Sequence, residues 1–195
     1  MLHREDTQIA GFVFKGQIAA EAVRHLSGAG KKSLEVGFDE IASKVSLSLL
    51  QEEDTSPARK MSAVYIAIAS FENGVRDLIS STMLEVKGAD WWDTSVSAEV
   101  KRKAETRLNN EKNIRWHQAR GLSRIYYTEM NDLVSIIRTN WPSFEDLLHD
   151  IEWVAQIFKS LERSRNVIMH SGQLSMDDIE RVGMSIRDWL RQVGG

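Results

Sequence analysis

The chain has 195 residues, a formal net charge of −3 and a pI near 6.0. This length suits one globular domain with a substantial core, plus a helical extension. The absence of cysteine excludes disulfides, thiolate zinc sites and cysteine nucleophiles. The net charge gives no support for nucleic-acid binding, so any such support must be local.

The amino-terminal stretch MLHREDTQIAG is polar, and the chain contains no apolar run of roughly 18 residues. We therefore predict neither a signal peptide nor a membrane-spanning helix. The lack of cysteine also fits a reducing compartment. Together these features predict a cytoplasmic protein that does not associate with a membrane.

Apolar residues recur mainly at helical spacing, and no run alternates convincingly as a strand does. The pattern therefore predicts an all-α protein. The elements expected first in chain order are a helix over 7–27, a glycine-containing break, a helix over 38–52, a polar linker over 52–60 and a long apolar helix over 60–86.

The apolar spacing and capping residues of the second half of the chain predict four further helices. A loop over 87–95 comes first. Its residues Trp91 and Trp92 are expected to pack into the hydrophobic core rather than to stack on a ligand. The expected helices then cover 95–120, 122–140, 143 to about 169, and a last segment capped by Ser175 with Asp178. Ser143 with Asp146 predicts an approximate capping box after Pro142.

The polar stretch near 52–60 suggests a boundary between an N-terminal helical hairpin or extension, residues 1–55, and a helical domain, residues 60–195. The pattern does not decide whether the first two helices are appended to the core or belong to it.

The helix from 143 carries an apolar stripe with one charged member. The stripe consists of Phe144, Leu147, Leu148, Ile151, Val154, Phe158, Leu161 and Ile168. Steps of three and four residues from Ile151 also reach Arg165, at a position otherwise reserved for the core. A permanently charged guanidinium there needs a partner or access to a polar cleft.

His170 follows five residues later, beside the expected helix end at Ser171-Gly172. Histidine suits proton transfer near neutral pH, and arginine suits phosphate binding through two oxygens. On an ideal helix Arg165 and His170 are about 140° apart, whereas Arg163 and Asn166 are closer to the face of His170. A shared site therefore requires either a distorted helix or two chains.

The same residues also have an ordinary interpretation. Arginine and histidine are common near helix ends, and an arginine on an apolar stripe often pairs with a buried carboxylate. Glu72, in the long apolar helix, is a candidate partner for Arg165. Its spacing from Arg76 predicts an intrahelical ion pair, and a third possibility is that Glu72 orients Arg165 or His170.

The stretch from Arg165 to His170 resembles the R-x(4–6)-H motif of the HEPN superfamily, whose arginine is often followed by a small polar residue. Arg163 also fits the loose spacing, but Asn166 favours Arg165. Upstream, FENGVRDLI (71–79), GADWW (88–92), IYYTEMNDLVSIIRTNWPSF (125–144) and the final helix follow a similar order to one HEPN branch. That branch includes a eukaryotic mRNA-surveillance endoribonuclease and bacterial defence proteins, and the resemblance covers about residues 60–193.

The resemblance implies a helical bundle, a homodimer and metal-independent RNA cleavage without a cofactor. It assigns Arg165, His170 and Asn166 to catalysis, with Glu72 and Arg163 in support. It also implies a toxin or antiphage effector that has an antitoxin or an associated defence protein as partner. Since some HEPN members lack activity, the alternative is a non-catalytic RNA- or protein-binding or dimerisation module.

A local excess of positive charge occupies residues 101–124, where eight Lys or Arg and two Glu give a net charge of +6. An aromatic residue among basic ones is typical of single-stranded RNA binding. The candidate RNA-binding residues are Lys101, Arg102, Lys103, Arg107, Lys112, Arg115, Trp116 and Arg120. The alternative is a solvated helix face, with Trp116 in the core.

The five histidines show no HExxH or comparable metal-binding spacing, and no glycine-rich phosphate loop occurs. We therefore expect no metal site and no bound nucleotide cofactor.

Overall fold

The computed structural model describes residues 29–114 and 116–194, and no β-strand occurs in these ranges. Eight α-helices lie there: α1 (Ala29–Lys44), α2 (Glu52–Lys87), α3 (Trp91–Ser95), α4 (Ala98–Lys112), α5 (Met130–Thr139), α6 (Glu145–Leu148), α7 (Ile151–Met169) and α8 (Met176–Gly194). Short 3-10 helices cover Leu47–Leu49, Arg124–Tyr127 and Trp141–Ser143. The all-α prediction is confirmed, and the helix expected over 7–27 lies outside the described residues.

The start of α2 corrects two predictions. The helix expected over 38–52 ends at Lys44, and the polar stretch 52–60 is helical rather than a linker. Three acidic residues occupy the first turn of α2, where the helix dipole favours negative charge. Pro57 is tolerated because it removes only one bond, to the carbonyl of the exposed residue Glu53. The division into residues 1–55 and 60–195 stays a prediction.

The single helix expected from 143 to 169 is also wrong, because the chain turns before α7. His149 adopts a positive φ of 59°, which ends α6, and Asp150 caps α7 by accepting from the backbone of Glu152 at 2.8 Å. The expected cap at Ser143 is absent, since Ser143 lies in a 3-10 helix. The residues of the apolar stripe are nevertheless buried or partly buried against the core.

Two expected helices are shorter in the structure. The charged helix expected over 95–120 ends at Lys112, and the helix expected over 122–140 becomes a 3-10 helix followed by α5. Asp132 accounts for the later start of α5, because its carboxylate accepts the backbone N–H of Glu129 at 3.0 Å. The intervening segment, 113–123, is a loop along its described residues.

Aromatic rings join α2, α7 and α8 at the centre of the bundle. The ring centroid of Phe71 in α2 lies 5.3 Å from that of Phe158 in α7 and 5.4 Å from that of Trp189 in α8. Both pairs have edge-to-face geometry. Trp91 and Trp92 are buried in α3, which confirms that they fill the core. This packing fixes α7 against α2 and thereby determines where Arg165 lies.

The last helix begins with the predicted cap. The Ser175 hydroxyl donates to the Asp178 carboxylate at 2.6 Å and accepts the Asp178 backbone N–H at 3.2 Å. The hydrogen bond from the Ser175 hydroxyl has the largest effect on the pKa of Asp178 and lowers it, and the hydrogen bond from Arg181 lowers it further. These contacts stabilise the start of α8, immediately after the segment that contains His170.

Candidate active site

Arg165 extends from the inner face of α7 in the register that the stripe predicted. Its neighbours at the same face are Leu161, fully buried, and Ile168, partly buried against the core. The Arg165 side chain is 34% exposed, so it reaches solvent from an otherwise apolar face. It is therefore a partly desolvated cation, which binds an anion more strongly than a fully hydrated one does.

Glu72 is the carboxylate that faces Arg165. It is buried on α2, and one of its oxygens lies 3.7 Å from Nε of Arg165. The other oxygen accepts from Nη2 of Arg76 at 2.5 Å, so the predicted intrahelical pair is confirmed. Glu72 thus holds two guanidinium groups, with Arg76 as the closer partner.

Arg76 connects this ion pair to two further groups. Its Nη2 also donates to the carbonyl of Thr128 at 3.0 Å, and its Nη1 donates to Oδ1 of Asn73 at 2.9 Å. Because Thr128 follows the 3-10 helix Arg124–Tyr127, the bond ties α2 to the segment that precedes α5. The side chains around Glu72 are consequently held in place before any ligand binds.

These groups line a polar cleft of about 340 Å³. The cleft contains Glu72, Arg76 and Arg165 together, and Arg120 lies at its wall. The other lining residues are Tyr65, Ile68, Ala69, Asn73, Tyr126, Thr128 and Glu129. Arg165 therefore has both features that the sequence required, a carboxylate partner and access to a polar cleft.

His170 lies outside the residues that line this cleft. Helix α7 continues to Met169, so Arg165 and His170 are separated by about 7.5 Å along the helix axis and lie on different faces. His170 is exposed, as are Asn166 and Arg163 one and two turns earlier. Within the described residues of one chain, the helix is not distorted in a way that joins the two groups.

The end of α7 has a defined hydrogen-bond pattern. The backbone of Ser171 donates to the carbonyl of Ile168 at 3.0 Å, and that of Gly172 donates to Val167 at 2.8 Å. Ser171 takes the left-handed conformation, with φ of 61°, that glycine usually supplies at such a position. This pattern holds His170 at the last position before the chain turns.

Several residues of the expected RNA-binding set are engaged in contacts within the fold. Arg107 donates to Asp132 at 2.8 Å and to the carbonyl of Tyr127 at 2.9 Å, and it also pairs with Glu129. Lys103 pairs with Glu99 at 2.7 Å, which raises the pKa of the Lys103 ammonium. Lys101 donates to the carbonyl of Asp93 at 2.8 Å. These contacts give all three residues a structural role.

The remaining members of that set have more freedom. Trp116 is 87% exposed, so it is not part of the core. Arg102 and Lys112 are exposed and form no ion pair within the described ranges. Arg120 pairs with Glu111 and also lines the cleft, which brings the loop after α4 next to Arg165. Arg115 lies outside the described residues.

Sequence reasoning missed Asn73 and Tyr126 as parts of the cleft. Asn73 adjoins Glu72, so the polar pair within the apolar segment FENGV was an available signal. Tyr126 enters through a contact between elements, with its ring centroid 6.0 Å from the Arg76 guanidinium. A contact between residues on different elements, such as Tyr126 and Arg76, cannot be predicted from a local sequence pattern.

Across residues 29–114 and 116–194, no helix is both long and apolar enough to cross a membrane. The same part of the chain holds no group of three or more His, Asp or Glu side chains placed to bind a metal ion.

Residues 67–194 match the family model described as Swt1-like HEPN, a range that includes α7, His170 and every residue that lines the cleft except Tyr65. No curated protein and no solved structure matches the chain. The predicted resemblance to the HEPN superfamily is confirmed.

Proposed function

Because this chain belongs to the Swt1-like HEPN family, we propose that it is a metal-independent endoribonuclease that acts as a homodimer. The observation that carries the proposal is the position of Arg165, a partly exposed cation in a polar cleft beside the buried carboxylate of Glu72. A guanidinium on an apolar helix face is partly desolvated, which is unfavourable for folding. Binding of an anionic substrate would explain why a charged residue occupies this position.

The proposed reaction is attack of a ribose 2′-OH on the adjacent phosphate. It needs a base to take the 2′-OH proton, an acid to protonate the leaving 5′-oxygen and a cation beside the phosphorane. Arg165 supplies the cation and His170 transfers the protons, while Asn166 holds phosphate or orients His170. The products are a 2′,3′-cyclic phosphate and a 5′-hydroxyl.

A second copy of the chain supplies what one copy lacks. Arg165 and His170 lie on different faces of α7, so one protomer does not bring the two side chains together. In the chain on either side of His170, Val167 (39%), Met169 (55%) and Met176 (69%) are exposed. Exposed apolar side chains are typical of interaction surfaces, and a twofold axis near His170 would place Arg165 of each protomer beside His170 of the other.

The RNA contact that we propose beyond the cleft uses Arg102, Lys112 and Trp116. Their exposure supports phosphate contacts from the two cations and stacking of a base on the indole. Arg120 extends this surface to the cleft. Arg115 stays a candidate for the same role on the basis of charge alone, and Arg163 stays a proposed supporting residue of the catalytic motif.

The test is cleavage of total RNA and tRNA by the purified protein, followed by analysis of the RNA ends. We expect Arg165→Ala and His170→Ala each to lower the cleavage rate by about 10³-fold while the thermal unfolding profile stays nearly unchanged. Arg191→Ala, at a highly exposed arginine of α8, is the matched control and should cleave normally. EDTA should have no effect on the wild-type rate.

Two results would refute the proposal. One is a wild-type cleavage rate in both the Arg165→Ala and His170→Ala variants. The other, loss of activity on chelation, would refute the metal-independent mechanism.

The second candidate function is a non-catalytic module that binds RNA or a protein. The exposure of Trp116 beside basic residues favours its RNA version. It predicts salt-sensitive RNA binding without cleavage, weakened by charge reversal at Arg102 and Lys112. Binding that charge reversal does not change would count against it.

The biological role that we propose is that of a cytoplasmic toxin or antiphage effector, controlled by an antitoxin or an associated defence protein. This part rests on the family resemblance and on the proposed cleavage of cellular RNA.

A further inference from the structure

We propose that the cleft beside Arg165 is a nucleotide subsite, which holds one nucleotide of single-stranded RNA next to the scissile phosphate and recognises its base through the side-chain amide of Asn73. The proposal deepens the endoribonuclease function and rests on it for the position of the scissile bond.

The hydrogen bonds around Asn73 fix which end of its amide a ligand meets. Its Oδ1 accepts from Nη1 of Arg76 at 2.9 Å, and Arg76 is itself held by Glu72 at 2.5 Å and by the Thr128 carbonyl at 3.0 Å. The Asn73 Nδ2 donates to no acceptor in the described ranges, although the residue is exposed and lines the cleft. The amide therefore offers a hydrogen-bond donor to a ligand.

The remaining walls supply the other groups that a nucleotide requires. Tyr65, 43% exposed, provides an aromatic surface for a base. Arg165 and Arg120, with side chains 34% and 50% exposed, provide cations for a phosphate. The carboxylate of Glu129 also lines the cleft, where it pairs with Arg107 at 2.9 Å.

The size of the cleft selects for a single strand. Its volume of about 340 Å³ is near the lower end of ligand pockets, which range over roughly 300–1,000 Å³. A pocket of this size admits one unstacked nucleotide and excludes an RNA duplex. Proteins that recognise RNA by sequence commonly bind such splayed bases by stacking and by hydrogen bonds to the base edge.

The donor at Asn73 makes the proposal specific. A donor favours a base whose edge presents a carbonyl oxygen or an unprotonated ring nitrogen. Asn73→Asp replaces that donor with an acceptor of nearly the same shape, and the new carboxylate still accepts from Arg76. We therefore expect the relative cleavage of different nucleotides to change on the order of tenfold, the effect of gaining or losing about one hydrogen bond to the bound base.

The experiment is sequencing of cleavage sites in an RNA pool with randomised nucleotides. The wild type is compared with Asn73→Asp and with Gln156→Glu, which makes the same amide-to-acid change at an exposed position of α7 outside the cleft lining. We expect a changed base distribution for Asn73→Asp alone. Distributions that agree within twofold for all three proteins, while cleavage persists, would overturn the subsite. If Asn73→Asp does not fold by circular dichroism, Asn73→Ser takes its place.

A binding assay separates failure of the subsite from failure of the nuclease. Fluorescence anisotropy measures the affinities of the wild type and Asn73→Asp for labelled oligo(A), oligo(C), oligo(G) and oligo(U). If the wild type cleaves no RNA but Asn73→Asp changes the order of affinities, the subsite stands and the endoribonuclease proposal fails. If the order does not change, or none of the oligonucleotides binds, the subsite is wrong.

Discussion

At the scale of single residues, the central feature is one buried carboxylate shared by two arginines. Nη2 of Arg76 lies 2.5 Å from one carboxylate oxygen of Glu72, whereas Nε of Arg165 lies 3.7 Å from the other. The side chain of Arg165 is also more exposed than that of Arg76. The pair of Arg76 and Glu72 anchors the fold. Both side chains are about nine-tenths buried, so loss of either one would leave an unpaired charge in the core. Arg165 is more loosely held, which leaves its guanidinium available to a substrate phosphate.

The anchoring role of Glu72 predicts a large loss of stability on its substitution. Glu72→Met leaves the buried guanidinium of Arg76 without a counter-charge, so we expect the free energy of unfolding to fall by about 3 kcal/mol. Glu72→Met combined with Arg76→Met should cost less, since no unpaired charge is left in the core. Urea denaturation of the two variants measures both values.

The matched control is Glu85→Met, at an exposed position of the same helix, which should change stability by less than about 0.5 kcal/mol. The anchoring role would be contradicted by a loss under about 1 kcal/mol for Glu72→Met, or by a double variant less stable than the single one.

The sequence predicts the charged residues of the cleft better than its polar walls. Arg165 is identifiable because it interrupts an apolar stripe, and Glu72 because a carboxylate in an apolar helix needs a cation. Asn73 and Tyr126 are not identifiable in this way, because their roles arise where α2 meets the 3-10 helix before α5. Similarly, Lys103 and Arg107 have the charge of an RNA-facing surface, and only the tertiary contact with Asp132 reveals their structural use.

At the scale of the elements, the end of α7 sets the position of His170. Ser171 is in the left-handed conformation, which is unfavourable for a residue with a Cβ atom. Gly172 packs closely, since an added Cβ would lie 2.7 Å from Cγ1 of Val167 and 2.9 Å from the Val167 carbonyl oxygen. The turn therefore requires a glycine at 172 but only tolerates the serine at 171.

These two residues predict opposite effects on stability. Ser171→Gly removes the left-handed strain and should raise the free energy of unfolding by about 0.5 kcal/mol. Gly172→Ala forces the backbone of Val167 to move and should lower it by about 1–2 kcal/mol. Thermal and urea unfolding give both values.

Gly37→Ala is the control for the change from glycine to alanine. Its added Cβ meets nothing within 4 Å, so it should stabilise α1 slightly. A Gly172→Ala variant as stable as the wild type would show that the turn adapts to a Cβ atom, in contrast to the close packing described here.

Helix identity follows from the sequence more reliably than helix boundaries do. The apolar stripes identify α2, α5, α7 and α8 because burial enforces their 3.6-residue period. The helical character of 52–60 is not predicted because most of its residues are polar and exposed on α2, and Thr55 is the one buried residue among them. The break before α7 depends on the positive φ of His149, a residue type that carries no strong signal for it, although Asp150 before Ile151 is a recognisable cap.

At the scale of the whole molecule, the separation of Arg165 and His170 on α7 predicts that the two groups act in trans. If the reaction needs Arg165 of one protomer and His170 of the other, the Arg165→Ala and His170→Ala homodimers are both inactive. A heterodimer of the two variants still contains one intact Arg165 and one intact His170, contributed by different chains. Co-expression with two affinity tags isolates this heterodimer from either homodimer.

We expect the Arg165→Ala/His170→Ala heterodimer to cleave RNA at about half the wild-type rate or somewhat less, because one of two symmetry-related arrangements is restored. The control is a heterodimer of wild type with the double variant, whose intact Arg165 and His170 lie on the same chain and which should be inactive. The reverse result, with activity only in the control, would mean that both groups act within one protomer. In that case α7 would have to change its conformation on binding RNA, since its regular helix to Met169 keeps the two side chains on different faces.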